Sequence, residues 1–271
     1  MICNNGAIWP RVPFDYPVCQ RPGIIPSIVQ ETEMKSQVIN LYNSGRRIKR
    51  FLRAARGKEV WRSVESSCET VCLGHEGAMW GICPASLSDA RIVYSFGVGE
   101  DISFDLALIR RFGLQVHAFD PTPRSIEWVR SQTLPHEFVF HPYGIANADG
   151  LRKFAPPVNP NHVSHTILER NTARPAIDVP VCRLPTILKS LGHAKIDLLK
   201  MDIEGAEYEV LADMFDCDIQ VDQLLVEFHH RWPEVGVEKT RQALRNLKLH
   251  GYRIFYISPS GEEYSFRRLP S

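Results

Sequence analysis

Short apolar runs that end in glycine or in acids alternate, through the middle of this chain, with stretches whose apolar residues recur at helical spacing. The pattern predicts strands over 91–96, 115–119, 138–141, a run ending at Lys200, and 223–229, in which Glu227 and His229 share a face by the two-residue period. Helices are predicted between them over 103–112, 124–132, 186–191, 207–215 and 237–250, the last closed by Gly251. Residues 252–257 and 263–267 answer each other across Ser258-Pro259-Ser260-Gly261 as a terminal hairpin. From about 150 to 185 the pattern breaks: short strands at Phe154 and 177–181 flank a Pro/Asn-rich loop, 156–165, read as an insertion over the sheet. Alternating strands and helices with a closing hairpin describe an α/β protein, a doubly wound and mostly parallel sheet with one reversed strand.

Upstream the pattern differs. Five prolines, Pro10, Pro13, Pro17, Pro22 and Pro26, predict an extended arm, followed by a helix over 27–57 broken near Asn43-Ser44-Gly45. We divide the chain into an arm and basic helical extension, 1–70, and a main domain, 71–271.

At 271 residues, 44% hydrophobic and 23% charged, the composition is that of a globular domain with an extension. A net charge of +1 gives no global pull toward nucleic acid or anionic membrane. One local patch is basic: from Arg46 to Arg62 there are eight Lys/Arg against Glu59, with Ile48, Phe51, Leu52 and Ala55 between them. A solvated basic helix face is the plain reading, and contact with a membrane surface through 46–62 the alternative. Seven cysteines, without a C-x-x-C pair, argue against a disulfide framework or structural zinc and for buried free thiols. No run approaches the roughly 20 apolar residues of a membrane span, and the N-terminus is not a signal sequence. A soluble, cytoplasmic protein is the expectation, whether or not an anchor lies outside this chain.

Candidate chemistry concentrates at two places. Gly97-Val98-Gly99 forms a turn between strand and helix, and Asp120 ends the next strand 21 residues beyond Gly99, where an acid can take a ribose diol. Both NAD and S-adenosylmethionine have that ribose, so charge must separate them. Glu100 and Asp101 follow the turn directly, where a pyrophosphate would meet two carboxylates. S-adenosylmethionine instead carries a sulfonium and an ammonium, which gain from acids. The second place is Lys200-Met201-Asp202-Ile203-Glu204-Gly205-Ala206-Glu207, where an apolar strand emits acids and a glycine at the carboxyl edge of the sheet.

Four blocks, Tyr94–Asp101, Phe119–Pro123, Leu199–Glu207 and Val226–His230, together resemble FkbM-type methyltransferases of the methyltransferase-like branch. The resemblance covers roughly residues 90 to 257. It implies a class I, Rossmann-like methyltransferase fold with a seven-stranded sheet, S-adenosylmethionine as donor, and O-methylation of hydroxyls on sugars, glycans or natural products. It places Gly97, Gly99 and Asp101 along the methionine half of the donor, with Glu100 beside them, Asp120 with Pro121 at the ribose, and Asp202 at the sulfonium end. The chain departs from the class pattern in two places: Ser95 stands where an acid usually precedes the first glycine, and Asp101 where a third glycine is usual.

A sugar or aliphatic hydroxyl must lose its proton to accept a methyl group, which calls for a base or a metal. Asp202, Glu204, Glu227 and His229 are the candidates, at the ends of two strands predicted to be neighbours. Asp202, Glu227 and His229 would also suit a divalent metal. Glu207 reads as a helix cap or solvated face, His230 as a tether, and Lys200 as a partner for one of the acids. His162, Ser164 and His165 in the inserted loop, and His75, Glu76 and Trp80 before the first strand, are candidates to cover an acceptor. The expected partner is a small-molecule or glycan acceptor, with no nucleic acid. The rival readings are a Rossmann-like binding module without transfer and, less favoured, a nicotinamide-dependent oxidoreductase.

Overall fold

The computed structural model describes residues 45–75, 78–155 and 175–269. The predicted arm, the helix upstream of Gly45, Glu76 and the loop 156–165 lie outside them. Among the described residues no helix is long and apolar enough to cross a membrane.

Seven strands form one sheet in the order β11-β12-β10-β9-β3-β4-β5. These are β3 (Ile92–Phe96), β4 (Gln115–Phe119), β5 (Phe138–His141), β9 (Ile196–Met201), β10 (Val221–Glu227), β11 (Tyr252–Ile257) and β12 (Glu263–Arg268). Strands β5, β4, β3, β9 and β10 run parallel, while β12 slots between β10 and β11 antiparallel to both. The hairpin thus supplies the one reversed strand that the pattern predicts. Helices α2 (Ser103–Phe112), α3 (Pro123–Arg130), α4 (Leu184–Leu191), α5 (Glu207–Asp216) and α6 (Gly236–Leu249) connect the strands.

Both faces of the sheet are buried, as parallel sheets require. On β3, Val93 faces α2 and packs with Leu108, Val116 and Leu198. Tyr94 and Phe96 face the other way, into the layer built by Leu184 of α4, Val210 and Met214 of α5, and Leu244 of α6. That two-residue alternation makes the sheet doubly covered, and it leaves the strand ends free to carry polar groups.

Three parts of the fold differ from the sequence expectations. A hairpin of β1 (Val71–Leu73) and β2 (Trp80–Ile82) covers the α2 side, and β6 (Gly144–Ile145), β7 (Gly150–Phe154) and β8 (Ile177–Cys182) form a separate sheet in the order β6-β8-β7. Strand β10 ends at Glu227, opposite Glu263 of β12, so His229 is not on the strand and shares no strand face with Glu227. The apolar run continues through Phe228, but ladder pairing stops when the partner strand does. Among the described residues Cys68, Cys72, Cys83, Cys182 and Cys217 are free, and of these five only Cys83 is buried while Cys72 is exposed.

Residues 45–55 form helix α1. Its Arg50 turns inward to donate to Val60 O at 3.2 Å and Tyr264 Oη at 3.3 Å, while Ile48, Phe51 and Leu52 are exposed.

Candidate functional site

The C-terminal ends of β3, β4, β9 and β10 converge on a cavity of about 390 Å³. Its wall takes in Gly97, Val98, Gly99, Glu100 and Asp101 after β3, Asp120 and Pro121 after β4, Asp202 and Glu204 after β9, and Glu227 at the end of β10. Phe96 and Phe119, stacked at 4.4 Å between ring centroids, form part of the same wall.

Gly97 is glycine because of what it touches. Its φ of +83° lies in the left-handed region, and a Cβ there would stand 1.7 Å from the Asp202 carbonyl oxygen. The two motifs that sequence places about a hundred residues apart are therefore in backbone contact, reinforced by the Asp202 N–H donating to Phe96 O at 3.1 Å. Gly99, at φ +57°, has open space beside it.

Asp120 is buried and fully engaged. Val98 and Gly99 N–H donate to its Oδ2 at 3.1 and 2.9 Å, and the N–H and hydroxyl of Thr122 donate to its Oδ1 at 2.9 and 2.6 Å. These four donors match the roughly four acceptor sites of a carboxylate. In this structure Asp120 organises the glycine turn, a role the strand pattern does not reveal. Glu100 receives a bidentate pair from Arg124 at 2.9 and 2.7 Å. Asp101 Oδ1 accepts the Ser103 N–H at 2.7 Å, steadying the start of α2.

The acids after β9 surround one imidazole. His229 is buried, and its Nδ1–H donates to Glu207 Oε1 at 3.0 Å, because a carboxylate can only accept. Its Nε2 then faces Glu204 Oε2 at 3.4 Å and Asp202 Oδ1 at 3.9 Å. Glu207 is no solvated residue: it is 0% exposed and also accepts the N–H groups of Ile203 and Gly205 at the start of α5. It ties the loop between β9 and α5 and orients the histidine at once, and the second role depends on the loop after β10 folding back, which residue spacing does not encode. Glu204 holds a left-handed φ of 56°, uncommon for a residue with a side chain and a mark of local strain at functional sites.

Burial alone would drive the proton off His229, but Glu207, Glu204 and Asp202 outweigh it and hold the imidazole protonated well above the ordinary histidine range. Burial, and then the Asp202 charge, pushes Glu227 well above the usual carboxylate range. Burial thus disfavours the charged form at Glu227, while the surrounding carboxylates favour it at His229. Asp202, Glu227 and His229 can each offer one donor atom, all within 4.8 Å of one another, a mixed nitrogen and oxygen set that could hold a divalent ion.

His230 points elsewhere, to Glu59, and so does not join the site. His75 N–H donates to Ser103 Oγ at 2.8 Å. Trp80 is both core and cavity wall, packed near Phe104 with the Lys200 ammonium 5.5 Å from its ring centroid. Asp105, which sequence reading passed over, lines the cavity from α2 while 2% exposed. Its signal was present: it occupies the helix face of Ile102, Leu108 and Ile109, a charge on an apolar stripe.

The Methyltransferase FkbM domain family matches residues 77–254, most of the chain and all of this site. The chain belongs to the FkbM methyltransferase family. This FkbM-family chain is 29% identical over 174 residues to the rat protein described as probable methyltransferase-like protein 24, a match covering 60% of this chain and 42% of that protein. It is 23% identical over 201 residues to the 31-O-demethyl-FK506 methyltransferase FkbM of Streptomyces tacrolimicus, covering 62% and 75%. The chain thus spans less than half the length of the rat relative. Among solved structures, the methyltransferase FkbM of Methylobacillus flagellatus KT is similar at 12% identity and a TM-score of 0.42, covering 66% of this chain and 44% of that one.

Proposed function

We propose that this chain is an S-adenosylmethionine-dependent methyltransferase that transfers to a hydroxyl oxygen of a small natural product, sugar or glycan. The observation that carries the reading is His229, held behind the cavity wall by buried Glu207 so that Nε2 meets Asp202 and Glu204, the two acids that line the cavity in front of it. A relative named for an O-demethyl substrate supports oxygen as the acceptor atom.

The residues suit the donor. The cavity is in the size range of small-molecule sites, and its acids favour a cation where a pyrophosphate would be repelled. Bound there, S-adenosylmethionine would supply an electrophilic methyl group on a sulfonium. The turn at Gly97–Gly99 would hold it, Asp120 by keeping that turn in shape, and Asp202 by presenting a carboxylate to the sulfonium end. His229 would take the acceptor's proton at Nε2, with Glu207 setting its orientation and Asp202 and Glu204 stabilising the imidazolium. The raised pKa means that the base form becomes available as pH rises past the ordinary histidine range, so transfer accelerates with pH there.

Thermal denaturation with S-adenosylmethionine, S-adenosylhomocysteine or NAD tests the reading, since a ligand of the folded state raises the melting point. Stabilisation by the first two is expected; stabilisation by NAD alone overturns it. The converging donors of Asp202, Glu227 and His229 favour a second reading, in which a divalent ion lowers the acceptor hydroxyl's pKa. Loss of transfer in EDTA with recovery on adding one metal supports that reading, and full activity of metal-stripped protein ends it.

A further inference from the structure

Beneath the glycine turn, on the face covered by α2 and β2, two opposite charges are sealed into the cavity wall. Asp105 is 2% exposed and Lys200 6% exposed, and both line the cavity. Asp105 Oδ1 and Ser95 Oγ, on the intervening strand, make no well-aligned hydrogen bond, and the Ser95 hydroxyl is the one side-chain donor set against the Asp105 carboxyl. Lys200 donates to Gly97 O at 2.8 Å, with Phe96 O at 3.5 Å, which leaves part of a three-donor ammonium unspent. Burial raises the Asp105 carboxyl pKa and the Lys200 charge opposes that rise, so each feels the other although no direct ion pair joins them among the described contacts.

A buried carboxyl faced by a single hydroxyl donor is under-satisfied and gains from a cationic partner. A lysine beside it, still able to donate, suits an anion. Side by side the two are complementary to a zwitterion, an ammonium and a carboxylate on one carbon. We infer that Asp105 and Lys200 form the receptor for the α-amino-acid head of the methyl donor, Asp105 taking the α-ammonium and Lys200 the α-carboxylate. The inference rests on the donor proposed above. It accounts for Ser95: the strand position two before Gly97 carries no acid because the carboxylate arrives from the facing helix. It also replaces Asp101 in that task, since Asp101 is committed to Ser103 N–H and lies 3.8 Å from the exposed His75 ring.

Titration calorimetry with three probes tests it: S-adenosylhomocysteine, its analogue lacking the α-amino group, and 5′-methylthioadenosine, which lacks the whole head. Wild type should bind S-adenosylhomocysteine about 100-fold more tightly than methylthioadenosine, the combined worth of two charge-assisted contacts. Asp105→Asn and Lys200→Gln should each weaken S-adenosylhomocysteine by about tenfold or more. Methylthioadenosine affinity should stay unchanged, which also reports that each variant has folded. Removing the amino group from the ligand should cost wild type as much, and cost Asp105→Asn almost nothing, a coupling that a purely structural aspartate would not show. Equal losses in wild type and Asp105→Asn overturn the assignment even if the variant is weakened. If wild type binds S-adenosylhomocysteine no better than methylthioadenosine, the receptor is overturned while the donor reading survives. If it binds neither nucleoside, the donor reading falls and takes the receptor with it.

Discussion

His229 and His230 are consecutive residues, both buried, and each contacts a buried glutamate, yet they belong to opposite kinds of environment. Around His230 the acids meet basic partners. Glu59 takes His230 Nε2 and two nitrogens of Arg231, at 3.0 and 2.8 Å from Arg231, and Arg231 also pairs with Glu262 and donates to Ser260 O. That centre ties the segment after α1 to the hairpin of β11 and β12. Around His229 the balance is acidic: one imidazole faces Glu207, Glu204 and Asp202, with Glu227 close by. A matched buried centre resists losing a partner, whereas an unmatched one is poised to exchange protons or bind a cation. One step along the chain separates a staple from a site.

Exchanging the two residues' fates is the sharpest way to break that comparison. His229→Asn should lower transfer about 10²- to 10⁴-fold, the usual worth of a general base, read as S-adenosylhomocysteine released with an acceptor that supports turnover. The same substitution should cost stability under about 2 kcal/mol, because Glu207 keeps its two backbone donors. Glu59→Gln should show the reverse pattern, a loss of about 3 kcal/mol in urea unfolding with donor binding retained. If Glu59→Gln abolished donor binding in folded protein, or His229→Asn left transfer intact, the division between staple and site would fail.

The staple also has a pH signature. Burial would raise the Glu59 pKa, but His230 and Arg231 outweigh it and hold the carboxyl below its usual range. A depressed folded pKa contributes stability above the unfolded value of about 4.5, lost as pH falls through the folded value. Wild type should therefore lose this contribution only below about pH 4.5, and Glu59→Gln should flatten that limb of the unfolding curve. A limb of unchanged steepness would show that Glu59 is not its source.

Smallest of all should be Glu100→Gln. The Glu100–Arg124 pair has side-chain exposures of 32% and 49% and meets salt-screened solvent, so its removal should change stability by less than about 1 kcal/mol. A larger loss, or a tenfold loss of donor affinity, would move Glu100 from the rim into the binding site.

Much of this was legible in the sequence, for identifiable reasons. Helix α2 and strands β4 and β5 fall where periodicity places them, since long amphipathic or fully apolar segments leave one choice of element. Strands β1, β2 and β6 are two or three residues long and carry no period to read. At the site, Asp202, Glu204, Glu227 and His229 could be named because each follows an apolar run. Their grouping could not be derived as a shared strand face, because β10 stops at Glu227 and a loop delivers His229. Glu207 reads as a helix cap or solvated face in sequence, and in the fold it is neither: it is buried, ties the loop before α5 and orients His229. Asp105 was overlooked because only the fold shows that its helix face meets Lys200 and the cavity.

If Glu207 holds His229 as a proton-exchanging base, the ring keeps its charge above the ordinary histidine range. NMR titration of the His229 ring in metal-free wild type and in Glu207→Gln measures it without needing the acceptor. The expected wild-type midpoint lies well above the ordinary histidine value of about 6.5, with a clear downward displacement in Glu207→Gln. A wild-type midpoint at or below the ordinary value, or one that Glu207→Gln leaves in place, would contradict it.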